Sequence, residues 1–158
     1  MLSATPSLTH TDTALAPKPD TFAMPRYLLD TNTVSHLIKA HPNATSRLLA
    51  VPMRSVCISA ITAGELAFGL ARRPQATALK QAVDAFLRRV DVLPWDAEVA
   101  ATYGPLRARL QASGTPLAAL DTQIAAHALH IQATLVTNDQ AFRQVSGLML
   151  EDWTVPAR

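Results

Sequence analysis

The chain has 158 residues, is 49% hydrophobic, and carries 14 Lys and Arg against 12 Asp and Glu. This length and hydrophobic content are typical of one compact domain with a sizeable core. No run of about 18 uncharged apolar residues occurs, so the sequence predicts no membrane-spanning helix. The single cysteine, Cys57, cannot form a disulfide within the chain. We therefore expect a buried free thiol and a location in the reducing cytoplasm.

Residues 1–23 differ in composition from the rest of the chain. They are rich in Ser, Thr, Pro and Ala, lack arginine, and show neither helical nor strand periodicity. The basic start and continuous apolar core of a secretory signal are both absent. We expect residues 1–23 to be a disordered N-terminal extension, or the result of a mis-assigned start upstream of Met24. Residues 24–158 are then a single domain.

From Arg26 onward, short apolar segments alternate with helical ones. The strings RYLL, SVCIS, VDVLP and TLVT predict strands buried on both faces of a parallel sheet. The later string LMLEDW predicts an edge strand, with Trp153 packed at its margin. Helices are predicted between these strands, at Thr33–Ala40, Ala44–Val51, Ile61–Ala71, Pro74–Arg89, Asp96–Ala112 and Asp121–Ile131.

Several residues favour these helix boundaries. Pro74 suits a first helical turn, Asp96 and Asp121 suit a helix start, and the pair Ser113-Gly114 favours a helix end. Strands that alternate with helices predict an α/β/α sandwich, with a mainly parallel central sheet flanked by helices.

Four acidic residues interrupt or end the apolar segments: Asp30, Glu65, Asp121 and Asp139. A charge within a hydrophobic stretch is costly unless it is compensated, and a divalent cation can compensate four like charges. Ligands of open parallel sheets bind beyond the carboxyl ends of the strands. Each of the four residues follows a predicted strand or lies near the start of a neighbouring helix, so we expect them to meet at that edge.

Each acid also has an explanation that needs no metal ion. Asp30 and Asp121 are good helix-capping residues. Asp139 lies in the string TND, which is common in turns. Glu65 could belong to a solvated helix face, although it lies in a strongly apolar helix. These explanations remain open for each residue alone, but they do not account for the predicted meeting of all four.

The strings YLLDTNTVSHLIK, ISAITAGELAFGL, VLPWDAEVAATYGPLRARL and LDTQIAAHALHIQATLVTNDQAFRQVSGLMLEDW closely resemble PIN-domain ribonucleases, specifically the VapC-type toxins of bacterial toxin–antitoxin pairs. The resemblance runs from about Met24 to Trp153. It implies that the four acids are the catalytic, metal-binding quartet, supported by four polar residues, Thr31, Asn32, Thr137 and Asn138. One departure is the segment from Pro116 to Ala119, where relatives commonly have a glycine.

The chemistry of the acids favours Mg²⁺ or Mn²⁺, since both metals prefer oxygen ligands. We expect Asp30, Asp121 and Asp139 to hold the metal, and Glu65 to orient the attacking water or complete the metal shell. His127 and His130 are three residues apart, but no further Cys or His gives them zinc-ligand spacing. The expected reaction is hydrolysis of RNA phosphodiesters.

The charge distribution favours a polyanionic substrate. Residues 24–158 contain 13 Lys and Arg, since Lys18 lies outside, and 10 Asp and Glu, since Asp12 and Asp20 do. Without the four acids only six acidic residues remain, which leaves a basic surface. Candidate phosphate contacts are Arg72, Arg73, Arg88, Arg89, Arg107 and Arg109. Each of these arginines could equally lie on a solvated helix face or contact an antitoxin.

The resemblance also implies partners. VapC-type toxins are usually homodimers inhibited by a cognate antitoxin protein, and the segments AITAGELAFGLA and AFLRRV are candidate contact surfaces or plain core. An aspartyl phosphatase would need a second Asp where Asn32 stands. A P-loop enzyme would need a Gly-rich Lys-Ser/Thr motif, which is absent from the sequence. A catalytically silent RNA-binding or interaction module remains the alternative.

Overall fold

The computed structural model describes residues 24–158. The expectations for residues 1–23 therefore lie outside the described residues. Within residues 24–158, no helix is long and apolar enough to cross a membrane. Secondary structure is continuous enough over this range to define one sheet and its surrounding helices.

Five parallel strands form the central sheet, in the order β3-β2-β1-β4-β5. Their bounds are β1 Tyr27–Leu29, β2 Val56–Ser59, β3 Asp91–Leu93, β4 Thr134–Val136 and β5 Leu150–Glu151. The chain builds the sheet outward from β1 to β3 on one side, and then places β4 and β5 on the other side. The strand order therefore reverses at β1, which is the position where open α/β sheets bind ligands.

In the described part of the chain, six α-helices connect the strands: α1 Thr31–Ile38, α2 Pro42–Leu49, α3 Ala60–Ala71, α4 Thr77–Leu87, α5 Ala97–Ala112 and α6 Ala119–His130. Two short 3-10 segments, Met53–Ser55 and Gln140–Gln144, complete the regular structure. The predicted cap of α5 is confirmed, because Asp96 Oδ1 accepts hydrogen bonds from the N–H groups of Glu98 and Val99. Its predicted end is also confirmed, since Gly114 adopts a φ of +66°.

The alternation of side chains along β1 explains the layers. Leu28 faces a cluster that includes Leu106 of α5 and Ile124 of α6. Leu29 belongs to the opposite cluster, which draws on α1 to α4. Because neighbouring residues of a strand point to opposite faces, a three-residue strand serves both cores. The predicted α/β/α sandwich is confirmed.

Two sequence predictions about the sheet need correction. β3 is not buried on both faces: Asp91 and Val92 are exposed, because β3 is an edge strand that pairs only with β2. Trp153 is not marginal. Its side chain is 1% exposed, its ring packs against Tyr27 at a tilt of 53° with centroids 5.5 Å apart, and its Nε1 donates to Glu151 Oε2. The edge strand before it is confirmed.

Two predicted helix starts are also wrong. Pro74 precedes α4 and lies in the loop, since the helix begins at Thr77. Asp121 does not open α6, which begins at Ala119 with Ala118 at its N-cap. Asp121 instead occupies the third position of the first turn. An acidic side chain there still faces the positive end of the helix dipole.

Candidate metal centre

Asp30 follows β1 directly and serves as the N-cap of α1. Its Oδ1 accepts a 2.7 Å hydrogen bond from the N–H of Thr33, and its own N–H donates to the carbonyl of Val136 on β4. The side chain is buried, with 5% exposure. The capping explanation is therefore correct, but it uses only one carboxylate oxygen and also fixes the carboxylate between β1 and β4.

Glu65 lies in the middle of α3 and is half-buried. Thr31, the first residue of α1, donates a 2.8 Å hydrogen bond from Oγ1 to Glu65 Oε1. A carboxylate on one helix is thus oriented by a hydroxyl on another. The alternative of a simple solvated face does not describe Glu65.

Asp121 is half-buried in the first turn of α6. Burial raises its pKa above the ordinary value of 3.8, and the negative charges of Asp139, Glu65 and Asp30 raise the pKa further. Asp121 therefore lies within electrostatic reach of the other three acids, although burial is the larger cause of its raised pKa.

Asp139 lies three residues beyond β4 and is exposed. Its Oδ1 accepts a 2.9 Å hydrogen bond from the N–H of Ala141, and its N–H donates to Thr137 Oγ1. Asp139 thus caps the 3-10 segment, as the turn explanation predicts. The same turn keeps its carboxylate at the carboxyl edge of the sheet.

The donor set fits a hard divalent cation. Four carboxylates supply only oxygen ligands, and none of them forms an ion pair within residues 24–158. In this part of the chain, however, no three His, Cys, Asp or Glu side chains stand close enough together to enclose an ion. Side-chain rotations are therefore needed to bring the carboxylates onto one metal.

The supporting polar residues divide into two groups. Thr31 and Thr137 contact acids, through Glu65 and the N–H of Asp139 respectively. Asn32 is exposed and shares no hydrogen bond with the acids among the described residues. Asn138 is also exposed, and its Nδ2 lies 3.4 Å from His36 Nε2.

The arginine candidates separate by position. Arg72 and Arg73 line a cavity of about 300 Å³ that also contacts Thr31 and Glu65. Arg107 lies elsewhere and donates to the hydroxyl of Tyr103. The remaining three are exposed away from this cavity, on the end of α4 and on α5: Arg88, Arg89 and Arg109.

Sequence reasoning missed a buried pair on the two helices that carry Glu65 and Asp121. Ser59 ends β2 and caps α3, and its Oγ lies 2.8 Å from Nδ1 of His127 on α6. The sequence feature that could have indicated this pair is Ser59, which directly precedes the helix that carries Glu65. The histidine gave no signal, because its partner is 68 residues away in the sequence.

Comparisons with known proteins identify the family to which this fold belongs. The family model described as PIN domain matches residues 27–148. The chain is 33% identical over 132 residues to the tRNA(fMet)-specific endonuclease VapC of Shigella flexneri, covering 83% of this chain and 100% of that protein. It is 32% identical over 130 residues to ribonuclease VapC2 of Rickettsia felis, covering 80% of this chain and 97% of that protein.

Solved structures give the same result. The structure of VapBC2 from Rickettsia felis bound to a DNA fragment from their promoter superposes with a TM-score of 0.76 at 32% identity, covering 80% of this chain and 98% of that one. The structure of DNA-bound VapBC from Salmonella typhimurium superposes with a TM-score of 0.73 at 35% identity, covering 82% of this chain and 99% of that one. The chain belongs to the PIN-domain family. Its full-length relatives are VapC ribonucleases, which confirms the resemblance read from the sequence.

Proposed function

We propose that this chain is a metal-dependent endoribonuclease and the toxin of a toxin–antitoxin pair. The observation that carries the proposal is the hydrogen bond from Thr31, the residue after Asp30, to Glu65. Burial and the charges of the other three acids also raise the pKa of Asp121. Relatives that are named as ribonucleases, and that match this chain over nearly their whole length, support the same activity. We also propose a cytoplasmic location, where the RNA substrates are.

Asp30, Asp121 and Asp139 would hold Mg²⁺ or Mn²⁺. When bound, the ion supplies an activated water and stabilises negative charge on the phosphate that is attacked. The hydrogen bond from Thr31 leaves the second oxygen of Glu65 to orient the water or complete the metal shell. Asp30 stays in place because one of its carboxylate oxygens accepts the hydrogen bond that caps α1.

Arg72 and Arg73 are the proposed substrate contacts. They share a cavity with Thr31 and Glu65, so a phosphate bound there would lie next to Glu65. A guanidinium group can donate two parallel hydrogen bonds to the oxygens of one phosphate. Transfer RNA is the first substrate class to test, because two relatives are named for it.

The decisive experiment is an RNA cleavage assay with Asp30→Asn. The variant keeps the helix cap, since Asn is as good a cap as Asp, but removes a charge from the metal ligands. Cleavage in Mg²⁺ or Mn²⁺ should fall by at least about 100-fold. Asp96→Asn is the matched control, because Asp96 caps α5 in the same way. Undiminished cleavage by Asp30→Asn would refute the assignment.

Calorimetric titration with Mn²⁺ tests the catalytically silent alternative. A silent module should bind Mn²⁺ weakly, and Asp121→Ala should not change that binding. The proposed nuclease should lose most of its Mn²⁺ affinity in Asp121→Ala.

The proposed partners are a cognate antitoxin and a second copy of this chain. The solved relatives are VapBC complexes from Rickettsia felis and Salmonella typhimurium, which supports an antitoxin. The exposed face of α3 offers an apolar contact, since Phe68 is 64% exposed beside Arg72. Co-expression with the product of the neighbouring gene should yield a stable complex, and light scattering should give a homodimer for the chain alone.

A further inference from the structure

A buried hydrogen bond joins the N-cap of α3 to α6, and these two helices carry Glu65 and Asp121. His127 Nδ1 lies 2.8 Å from Ser59 Oγ, and the two residues are 1% and 0% exposed. α3 and α6 also pack directly against each other. A polar contact that is this well buried is retained only when it is fully paired, so it defines one relative position of the two helices.

The contact pairs a neutral ring with a hydroxyl group. Burial lowers the pKa of His127 below its ordinary value of 6.5, so the ring is neutral at neutral pH. Ser59 Oγ also accepts from the N–H of Ile61. The hydroxyl and the neutral ring each carry one hydrogen and an acceptor, so the 2.8 Å contact forms with either group as the donor.

The spacing links this contact to the acids. Glu65 comes six residues after Ser59, and Asp121 comes six residues before His127. An α-helix rises 1.5 Å per residue. A slide of α6 by one residue would break the hydrogen bond and shift Asp121 by about 1.5 Å relative to Glu65. Metal and catalytic sites require placement within about 0.5 Å, so such a slide would disrupt a shared site.

We propose that His127 is a positioning residue, whose hydrogen bond to Ser59 sets the separation of Glu65 and Asp121 that metal binding requires. This proposal rests on the proposed metal-dependent function. Among the described residues, His127 hydrogen-bonds to Ser59 and to none of the four acids. It acts through the helices, as outer residues of a metal site act on ligands that they do not touch.

Mn²⁺ calorimetry on the full chain tests the proposal without any RNA. His127→Leu and Ser59→Ala each remove the contact from one side, and each should weaken Mn²⁺ binding by about 10-fold. His127→Asn places an amide near the position of Nδ1 and should bind Mn²⁺ within about 3-fold of the original chain. It leaves a space where the ring was, so its stability should still fall.

Two controls separate positioning from a general loss of structure. Asn43→Ala removes a part-buried hydrogen bond to the carbonyl of Thr154, away from the acids, and should leave Mn²⁺ affinity unchanged. In a Glu65→Gln background, α3 no longer supplies a charged ligand. In this background, His127→Leu should lower Mn²⁺ affinity by less than about 3-fold. A purely structural role of His127 would give the full 10-fold loss again.

Three outcomes overturn the proposal. They are unchanged Mn²⁺ affinity in folded His127→Leu, an equal loss with and without Glu65, and failure of both His127→Leu and Ser59→Ala to fold. The last result would make the contact a requirement of the core alone. Failure of the proposed function is a different result, in which the original chain binds Mn²⁺ but cleaves no RNA.

Discussion

Thr31 Oγ1 donates a 2.8 Å hydrogen bond to Glu65 Oε1, and thereby ties the first residue of α1 to a carboxylate 34 residues further along the chain. The residue before Thr31 is Asp30, so one short segment supplies both a candidate metal ligand and the orientation of another. The polar run that follows β1 therefore does more than start a helix.

Thr31→Val should separate this orienting role from stability. The valine keeps the shape of the side chain but removes the donor, so we expect the cleavage rate to fall by about 10-fold. The free energy of unfolding should change by less than about 1 kcal/mol, because the hydrogen bond is only part-buried. Single-turnover cleavage and urea unfolding measure the two effects. Thr154→Val, which loses a hydroxyl contact to Asp152, is the control and should cleave normally.

Asp30 allows its two roles to be measured apart. Asp30→Ala removes the cap and the charge, so it should lose metal binding and about 1 kcal/mol of unfolding free energy. Asp30→Asn should lose metal binding alone. Mn²⁺ calorimetry and urea unfolding of both variants give the comparison. Equal instability of the two variants would show that the charge, rather than the capping oxygen, stabilises α1.

Asp121→Asn should stabilise the metal-free protein near pH 7. The pKa of Asp121 in the folded protein is above 3.8, so between 3.8 and that raised value the folded state binds more protons than the unfolded state. The stability of the original chain therefore falls as pH rises through this interval. Asn at position 121 does not titrate, so the variant avoids this loss. We expect a gain of less than about 1 kcal/mol after solvent screening.

Urea unfolding in the presence of a chelator, from about pH 4 to pH 7, measures this gain. Asp91→Asn, which changes an exposed acid on β3, is the control and should show no such gain. Mn²⁺ should reverse the order of stability, because binding at 100 times Kd adds about 2.7 kcal/mol to the original chain only. A less stable Asp121→Asn in chelator would contradict the proposed repulsion.

Cys57 should be unreactive in the folded protein. The thiol is 2% exposed, and burial raises its pKa from 9.0 to about 11. At about pH 8 the folded protein therefore holds roughly 0.1% thiolate, whereas the unfolded chain holds roughly 10%. Iodoacetamide labelling should be at least about 100-fold slower in buffer than in concentrated urea. Similar rates in both would show that β2 opens readily.

The sequence predicted the elements whose signal is local. β1, β2 and β4 are uninterrupted apolar segments, and Asp96 and Gly114 mark the ends of α5 through their own backbone preferences. Pro74 was misleading because proline is equally suited to the loop before a helix. Trp153 was misplaced because its burial depends on Tyr27 and on the pairing of β5, which a local pattern does not contain.

The sequence indicated which acids to expect at one sheet edge, because two follow strands and two lie in adjoining helices. The contacts that hold them come from distant residues, such as Thr31 with Glu65. The same holds for His127, whose role depends on the packing of α3 against α6. Pairings between side chains far apart in sequence are set by the tertiary fold and leave no periodic trace.

The placement of β4 beside β1 has a consequence for synthesis. Asp30 and Asp139 are separated by 109 positions, and the N–H of Asp30 is held by Val136. While the ribosome has delivered only the first four helices and three strands, one side of β1 has no neighbour and two of the four acids have not been made. If the four acids form the proposed site, a nascent chain therefore lacks two of its metal ligands until translation is nearly complete.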